Sequence, residues 1–411
     1  MAGLAFGYEI SALVASILAL VWFMRGAPGL PYLPEPRANR RGPVTAVSVV
    51  LVLEKDAEAS HCIAALQAED YPRLQIIVVL CGARLDEVTQ ARLQDDPRVT
   101  IIDVPAAPPG WVRRNYAFDA GYRQAEHDWI LFLDGNVLLR PPAVERALSL
   151  AKQRGADLLT VFPDLTATSF AERLLIPFFM QLTLSGVSFR RINDPGEEDA
   201  GAFAPVFLFR RAAYQALGGY AALRSERSAD SMLVQRVKAA GYRLLVAHGI
   251  ELAVLVGQPG FAGIWRSWSR SFNEAIEGET RKAVVLASLV MAVFAGPWIV
   301  LVLSIVAIAL SNNPLAASPW LGVMLVGVAN VMVAGLHRRA LRNFLKIDDS
   351  LVWFQPVAAT ITALMIVTSS LHLEGGRLAR LARGRAAVPV SNGGRTSARQ
   401  VEMLPPEHPS G

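Results

Sequence analysis

Cysteine is nearly absent from this chain: Cys62 and Cys81 are the only two in 411 residues. Two thiols without a secretory context do not make a disulfide framework, so both read as ordinary buried side chains. Histidine is sparse as well. His61, His127, His248, His337, His372 and His408 show no spacing that would set a metal pair on one helix. No serine nucleophile elbow, Walker loop or Rossmann glycine fingerprint is present, which leaves hydrolase, NTPase and dehydrogenase chemistry without a motif. There is no internal repeat, and charged residues make up only 18% of the chain.

Apolar residues fill the gap, at 53% of the total with a mean hydropathy of +0.34. They are concentrated in four blocks, residues 4–24, 283–310, 320–336 and 351–373. Each approaches the roughly 20 residues that a helix needs to cross the hydrocarbon core of a bilayer. The first three read as clear spans. Pro356 near the start of the fourth leaves open a re-entrant or interfacial path.

No Lys or Arg precedes the first block, and Arg25, Arg37, Arg40 and Arg41 follow it. That asymmetry predicts an uncleaved anchor with its carboxyl end in the cytoplasm of an inner-membrane protein. The basic run HRRALRNFLK at 337–346 then also falls inside. The expected division is an anchor at 1–25, a cytoplasmic domain at 43–282, two or three membrane helices within 283–373, and a disordered Pro-, Ser- and Gly-rich tail at 388–411. With a net charge of +5 and Arg concentrated beside the apolar blocks, anionic lipid headgroups are the expected partner and nucleic acid is not.

Between the anchors the apolar pattern alternates. VSVVLVL at 47–53 is a β-branched run suited to a strand buried on both faces, and 74–80, 99–104 and 129–133 repeat it. Helical patterns intervene around 61–69, 85–93 and 113–124, with another from Pro142 to Gly155. The prediction is an α/β domain with a mostly parallel sheet and helices on both faces. Such a sheet gathers its chemistry at the carboxyl ends of the strands, where Asp56, residues 81–86 and Asp134 fall.

Asp134 allows two readings. Asp-Gly-Asn is good turn chemistry by itself, whereas Asp134 with Asn136 two residues on along an extended backbone could hold Mg²⁺ or Mn²⁺ against a diphosphate. Asp230 is open in the same way, as an N-cap for the helix that follows or as a functional carboxylate. Farther on, Trp265, Trp268 and Phe272 share a helix face with Ile264 and Ile276, beside Arg266 and Arg270. This predicts an interfacial helix, with guidance of a lipid as the sharper reading.

Taken together, VSVVLVL, QAEDYPRLQIIVV, PPGWVRRNYA, WILFLDGN, AERLLIP, LFRRAAYQALGGY, SADSMLVQRVKAAGYRL and WRSWSRSF cover residues 47–276. In these segments the chain resembles membrane-anchored family 2 glycosyltransferases of GT-A fold, especially the bacterial branch acting on carotenoid or hopanoid-like lipids. The resemblance implies inverting transfer from a nucleotide-sugar donor to a lipid acceptor. It gives Asp134 and Asn136 to metal and diphosphate, Arg114 to the place of a lysine, and Asp230 to the catalytic base. It also sets Phe209, Arg210 and Arg211 ahead of the acceptor pocket, and Trp265, Trp268 and Arg270 at the membrane rim.

The chain departs from the family pattern where Leu80 and Cys81 replace base-gripping aspartates, Asn136 replaces the second metal aspartate, Ala229 replaces an acidic neighbour of the base, and Arg113 replaces a glycine. Arg113 and Arg114 could compensate as phosphate binders. The alternative is a catalytically silent homologue serving as a membrane binding or scaffold subunit.

Overall fold

A computed structural model describes residues 1–36, 44–104, 106–165, 167–201, 206–256, 260–347 and 350–385. The predicted tail at 388–411, and Arg37, Arg40 and Arg41, lie outside the described residues. After the apolar helix α1 (Ala2–Gly26), the chain enters the sheet through β1 (Val47–Leu53), whose seven residues are all buried. Helices α2 (Asp56–Gln67), α3 (Glu87–Gln94) and α4 (Arg113–Gln124) then cross over to β2 (Leu74–Leu80), β3 (Val99–Asp103) and β4 (Trp129–Asp134). These four strands pair in parallel.

β5 (Val137–Leu139) leads to α5 (Ala143–Arg154), which starts after Pro142 and stops at Gly155. β6 (Leu158–Leu165), α6 (Phe170–Leu184) and α7 (Phe189–Asn193) follow, then β7 (Val206–Arg210), α8 (Arg211–Ala216), α9 (Ala229–Ala239) and β8 (Leu244–Leu255). The eight strands lie in the order β3-β2-β1-β4-β7-β6-β8-β5. β7 runs antiparallel to both neighbours, which makes a mostly parallel sheet a mixed one. Sequence patterning placed the first four strands and α4 within a residue; the helix expected around 61–69 starts earlier, at Asp56.

Among the described residues, four helices are long and apolar enough to cross a bilayer. They are α1, the run Thr280–Ala309, α13 (Pro314–Leu345) and residues 352–371, which enter α14 (Gln355–Arg385). The last block is one uninterrupted helix with Pro356 in its first turn, where proline is tolerated, rather than a re-entrant turn. α10 (Gly260–Ala275) leads from the sheet to these spans.

The second span consists of α11 (Thr280–Val290) and α12 (Gly296–Ala309) joined by a π turn at Met291–Ala295. Its cause is local. Pro297 has no N–H, so in the π register the Ala292 carbonyl loses its donor; the Tyr8 hydroxyl of α1 donates to that carbonyl instead.

At about 1.5 Å per residue, the 32 residues of α13 reach roughly 48 Å, well beyond a hydrocarbon core of about 30 Å. Its last turns pack on the sheet. Leu341, Leu345 and Ile347 join a core with Phe189, Phe23 and β8 residues. Nε2 of His248 on β8 bonds to the Phe344 carbonyl at 2.8 Å, and burial pushes this imidazole's pKa down, so it stays neutral.

α4 lies tight on the sheet. A Cβ at Gly121 would fall 2.3 Å from Cγ1 of Val50 and 2.9 Å from Cγ2 of Val79. Both are stiff β-branched side chains in filled core. Gly121→Ala is expected to destabilise the domain by about 1–3 kcal/mol through overpacking. A thermal midpoint unchanged from the unaltered protein would show that α4 can slide.

Candidate active site

Three of the residues singled out from sequence converge on one guanidinium. Arg114 sits in the first turn of α4, where a cation opposes the helix dipole and needs anionic partners. Its Nε donates to Oδ2 of Asp134 at 3.0 Å. Nη1 and Nη2 form a fork on Asp230, at 3.0 Å and 2.9 Å. The guanidinium also lies 4.7 Å above the ring of Phe118. Burial alone would weaken the arginine's charge, but Asp230 and Asp134 outweigh it and raise its pKa further.

Asp134 comes to this point because β4 is buried along its apolar length and delivers its last residue to the sheet edge. Its Oδ1 accepts the Gly135 N–H at 3.1 Å. Gly135 and Asn136 form a turn, not the extended backbone expected from sequence, so the pleat does not set the direction of Asn136. Oδ1 of Asn136 is buried and has no hydrogen-bond partner among the described residues.

Asp230 lies in the first turn of α9, whose N-cap is Ser228; the N-cap role expected for Asp230 is not the one it takes. Its Oδ1 instead accepts from the hydroxyl of Tyr220 at 2.8 Å. Tyr220 is fully buried, and burial with the adjacent Asp230 pushes the phenol pKa up, so it remains a donor. Sequence reading missed it, although the two glycines before it were a signal. Gly219 has φ +50, and a Cβ there would strike the Tyr214 ring 2.3 Å away. That tight turn lets the Tyr220 N–H donate to the Tyr214 hydroxyl at 3.0 Å.

Glu54, just past β1, was also missed. Although much of its surface is open, partial desolvation and then the neighbouring Asp134 raise its carboxyl pKa. At the end of β2, the Arg113 guanidinium packs over Gly82, so an arginine stands beside Cys81, where the resembled family has base-gripping aspartates. Burial pushes the Cys81 thiol up despite Arg113, which makes it an inert thiol. Asp56 accepts the Arg84 N–H at 2.6 Å and ties the two loops together.

Arg211 bonds the carbonyls of His127 and Ala125 and braces the turn before β4, while Phe209 is core and Arg210 is exposed. Among the described residues no group of three or more His, Cys, Asp or Glu could hold a metal ion. Asp134 and Asn136 supply oxygen donors of the type a hard cation takes, and two such residues would hold one only with phosphates completing the shell.

Residues 50–218 match the sequence profile described as "Glycosyl transferase family 2". In that span the chain is similar to family 2 glycosyltransferases. Curated proteins similar to it include the 4,4'-diaponeurosporenoate glycosyltransferases of Staphylococcus aureus. The protein of strain bovine RF122 / ET3-1 is 25% identical over 53% of this chain and 58% of its own length. That of strain USA300 is 26% identical over 51% and 57%. The chain thus spans less than two thirds of the curated relatives it matches. A mannosyltransferase from Pyrobaculum calidifontis, solved with GDP-Man and Mn²⁺, aligns over 89% of this chain and 98% of its own at 14% identity, with a TM-score of 0.46.

Trp265, Trp268 and Arg270 are not brought to Arg114 by any of these contacts. They lie on α10, where Trp268 stacks on Phe179 of α6 at 4.1 Å, Phe272 meets the same ring, and Ile264 and Ile276 are buried. The aromatic stripe read as interfacial is largely covered by α6 and the helices that follow; Arg270 is exposed.

Glu172 positions this unit. Its carboxylate accepts from the N–H groups of Thr168 and Ser169, the Thr168 hydroxyl and, at 2.8 Å, the Gly260 N–H that opens α10. Burial pushes its pKa up, but the four donors outweigh that and hold it at about 2. A carboxylate depressed in this way stabilises the fold above the unfolded pKa near 4.5, and that stability is lost as pH falls toward about 2. Glu172→Gln is expected to cost about 1–3 kcal/mol at neutral pH. It should also flatten the dependence of the thermal midpoint on pH between those values; an unchanged acid limb would remove Glu172 from this role.

Proposed function

We propose that this chain transfers a sugar from a nucleotide-sugar donor to a lipid acceptor of isoprenoid, carotenoid or hopanoid-like type, with inversion, at the cytoplasmic face of the inner membrane. The observation that carries the reading is the meeting of Arg114, Asp134 and Asp230 at the carboxyl edge of a family 2 domain joined to apolar helices. The relatives' name supports a carotenoid-like acceptor. Arg25 near the end of α1, and Arg339 and Arg342 near that of α13, support the cytoplasmic side.

An incoming diphosphate competes for the Arg114 fork, since guanidinium pairs bidentately with phosphate as readily as with carboxylate. As Arg114 turns to the diphosphate, Asp230 loses its strongest partner and keeps the Tyr220 hydroxyl. Its freed oxygen takes the proton from the acceptor hydroxyl while that oxygen attacks the anomeric carbon. The new C–O bond forms as the bond from that carbon to the diphosphate breaks. The electron pair leaves with the diphosphate, against Arg114 and Arg113. Asp134 and Asn136 would hold a Mg²⁺ or Mn²⁺ ion, which would supply charge neutralisation at the leaving group. Trp265, Trp268 and Arg270 edge the path of the acceptor from the membrane.

The same ion pair favours a second reading. A base with both oxygens on arginine is masked, and with Leu80, Cys81 and Ala229 in place of polar groups the domain would be a silent binding or scaffold subunit.

Calorimetry on the detergent-purified chain separates the two. Nucleotide diphosphate or nucleotide sugar is expected to bind in the presence of Mg²⁺ or Mn²⁺, and at least about tenfold more weakly in Asp134→Ala or Arg114→Lys. No binding of any nucleotide would leave the silent reading. Trp268→Ala is expected to lower acceptor use about tenfold with donor affinity kept; equal loss of both would take Trp268 off the acceptor path.

A further inference from the structure

A second polar cluster lies away from the sheet, among the membrane helices. Gln181 on α6, Asn330 and His337 on α13 and Gln355 opening α14 are each at most 4% exposed. All four line one narrow, part-open crevice of about 30 Å³, room for a hydroxyl group but not for a whole hydrocarbon chain, which lies at the open mouth. Val293, Phe294, Pro297 and Trp298, around the π turn, supply its apolar wall.

Each of the four carries an atom with no hydrogen-bond partner among the described residues: Oε1 of Gln181, Oδ1 of Asn330, Nε2 of His337 and Oε1 of Gln355. A buried polar atom left unpaired costs about 1–3 kcal/mol, and native proteins hold few of them. Four from three distant elements around one space mark a site prepared for a ligand. Asn330 is fixed in place because its Nδ2 donates to the Glu9 carbonyl at 3.0 Å and to the Glu9 carboxylate at 2.6 Å. His337 follows two turns later, on the same stripe as Val333 and Ala334.

Three of the four orphan atoms are acceptors, and the imidazole nitrogen takes either role with its tautomer. An ionised carboxylate or phosphate would set oxygen against oxygen here. A hydroxyl brings the missing proton. We propose that the crevice binds a lipid bearing a hydroxyl group, with the hydroxyl among Gln181, Asn330, His337 and Gln355 and the hydrocarbon against Val293, Phe294, Pro297 and Trp298. This goes beyond the transfer reading and stands without it.

The test is photolabelling of the full chain in phosphatidylcholine nanodiscs with a diazirine-bearing long-chain alcohol and with its methyl ether. The alcohol is expected to label peptides covering 291–298 or 330–337, to be displaced by the unlabelled alcohol, and to exceed the ether about fivefold or more. Gln181→Leu with Gln355→Leu should lower labelling by the alcohol about tenfold while nucleotide binding by calorimetry is unchanged. Equal labelling by alcohol and ether on the unaltered protein, or labelling outside these peptides, would overturn the proposal and leave a water-filled pocket or plain lipid contact. Because the alcohol and ether are compared on the unaltered chain, the result does not depend on the variants folding.

Discussion

One part-buried cation between two carboxylates holds the carboxyl edge of the sheet together. Without Arg114, Asp134 and Asp230 would be left as uncompensated charges in a space only partly open to water, which is destabilising. The guanidinium therefore ties together α4, the end of β4 and the first turn of α9, which are distant in the chain. Any ligand that takes Arg114 must bring comparable negative charge. Neutral sugars do not meet that condition; a diphosphate does.

The strands were legible because buried parallel strands read as unbroken β-branched runs, and Asp134 because it ends one of them. The antiparallel β7 was not, since pairing direction leaves no mark on a five-residue strand such as VFLFR. The pairing of Arg114 with Asp230 spans 116 residues and belongs to no local pattern. Resemblance named both residues but could not show that each would occupy the other. Tyr220 was hidden because a tyrosine after Gly-Gly looks like turn punctuation until the turn is seen to aim its hydroxyl. The aromatic stripe on α10 was legible as one face, while its packing on Phe179 of α6 was not: periodicity reports which residues share a side, not what packs against that side.

Among the candidate membrane-spanning helices the same limits apply with higher stakes, because a bilayer core offers no water to satisfy a stray polar group. Tyr8 answers the carbonyl freed by Pro297, and Glu9 answers Asn330. Both lie on the first helix, so α1 completes the hydrogen bonding of helices 284 and 321 residues away. Single polar residues in apolar runs carry no sequence signal of whom they will meet.

The length of α13 has a geometric consequence. Since its last turns lie in the core beneath β8, the sheet cannot shift independently of this helix. The helix acts as a fixed stilt between the sheet and the apolar helices. A displacement of those helices along that axis is passed straight to β8 instead of being absorbed in a linker.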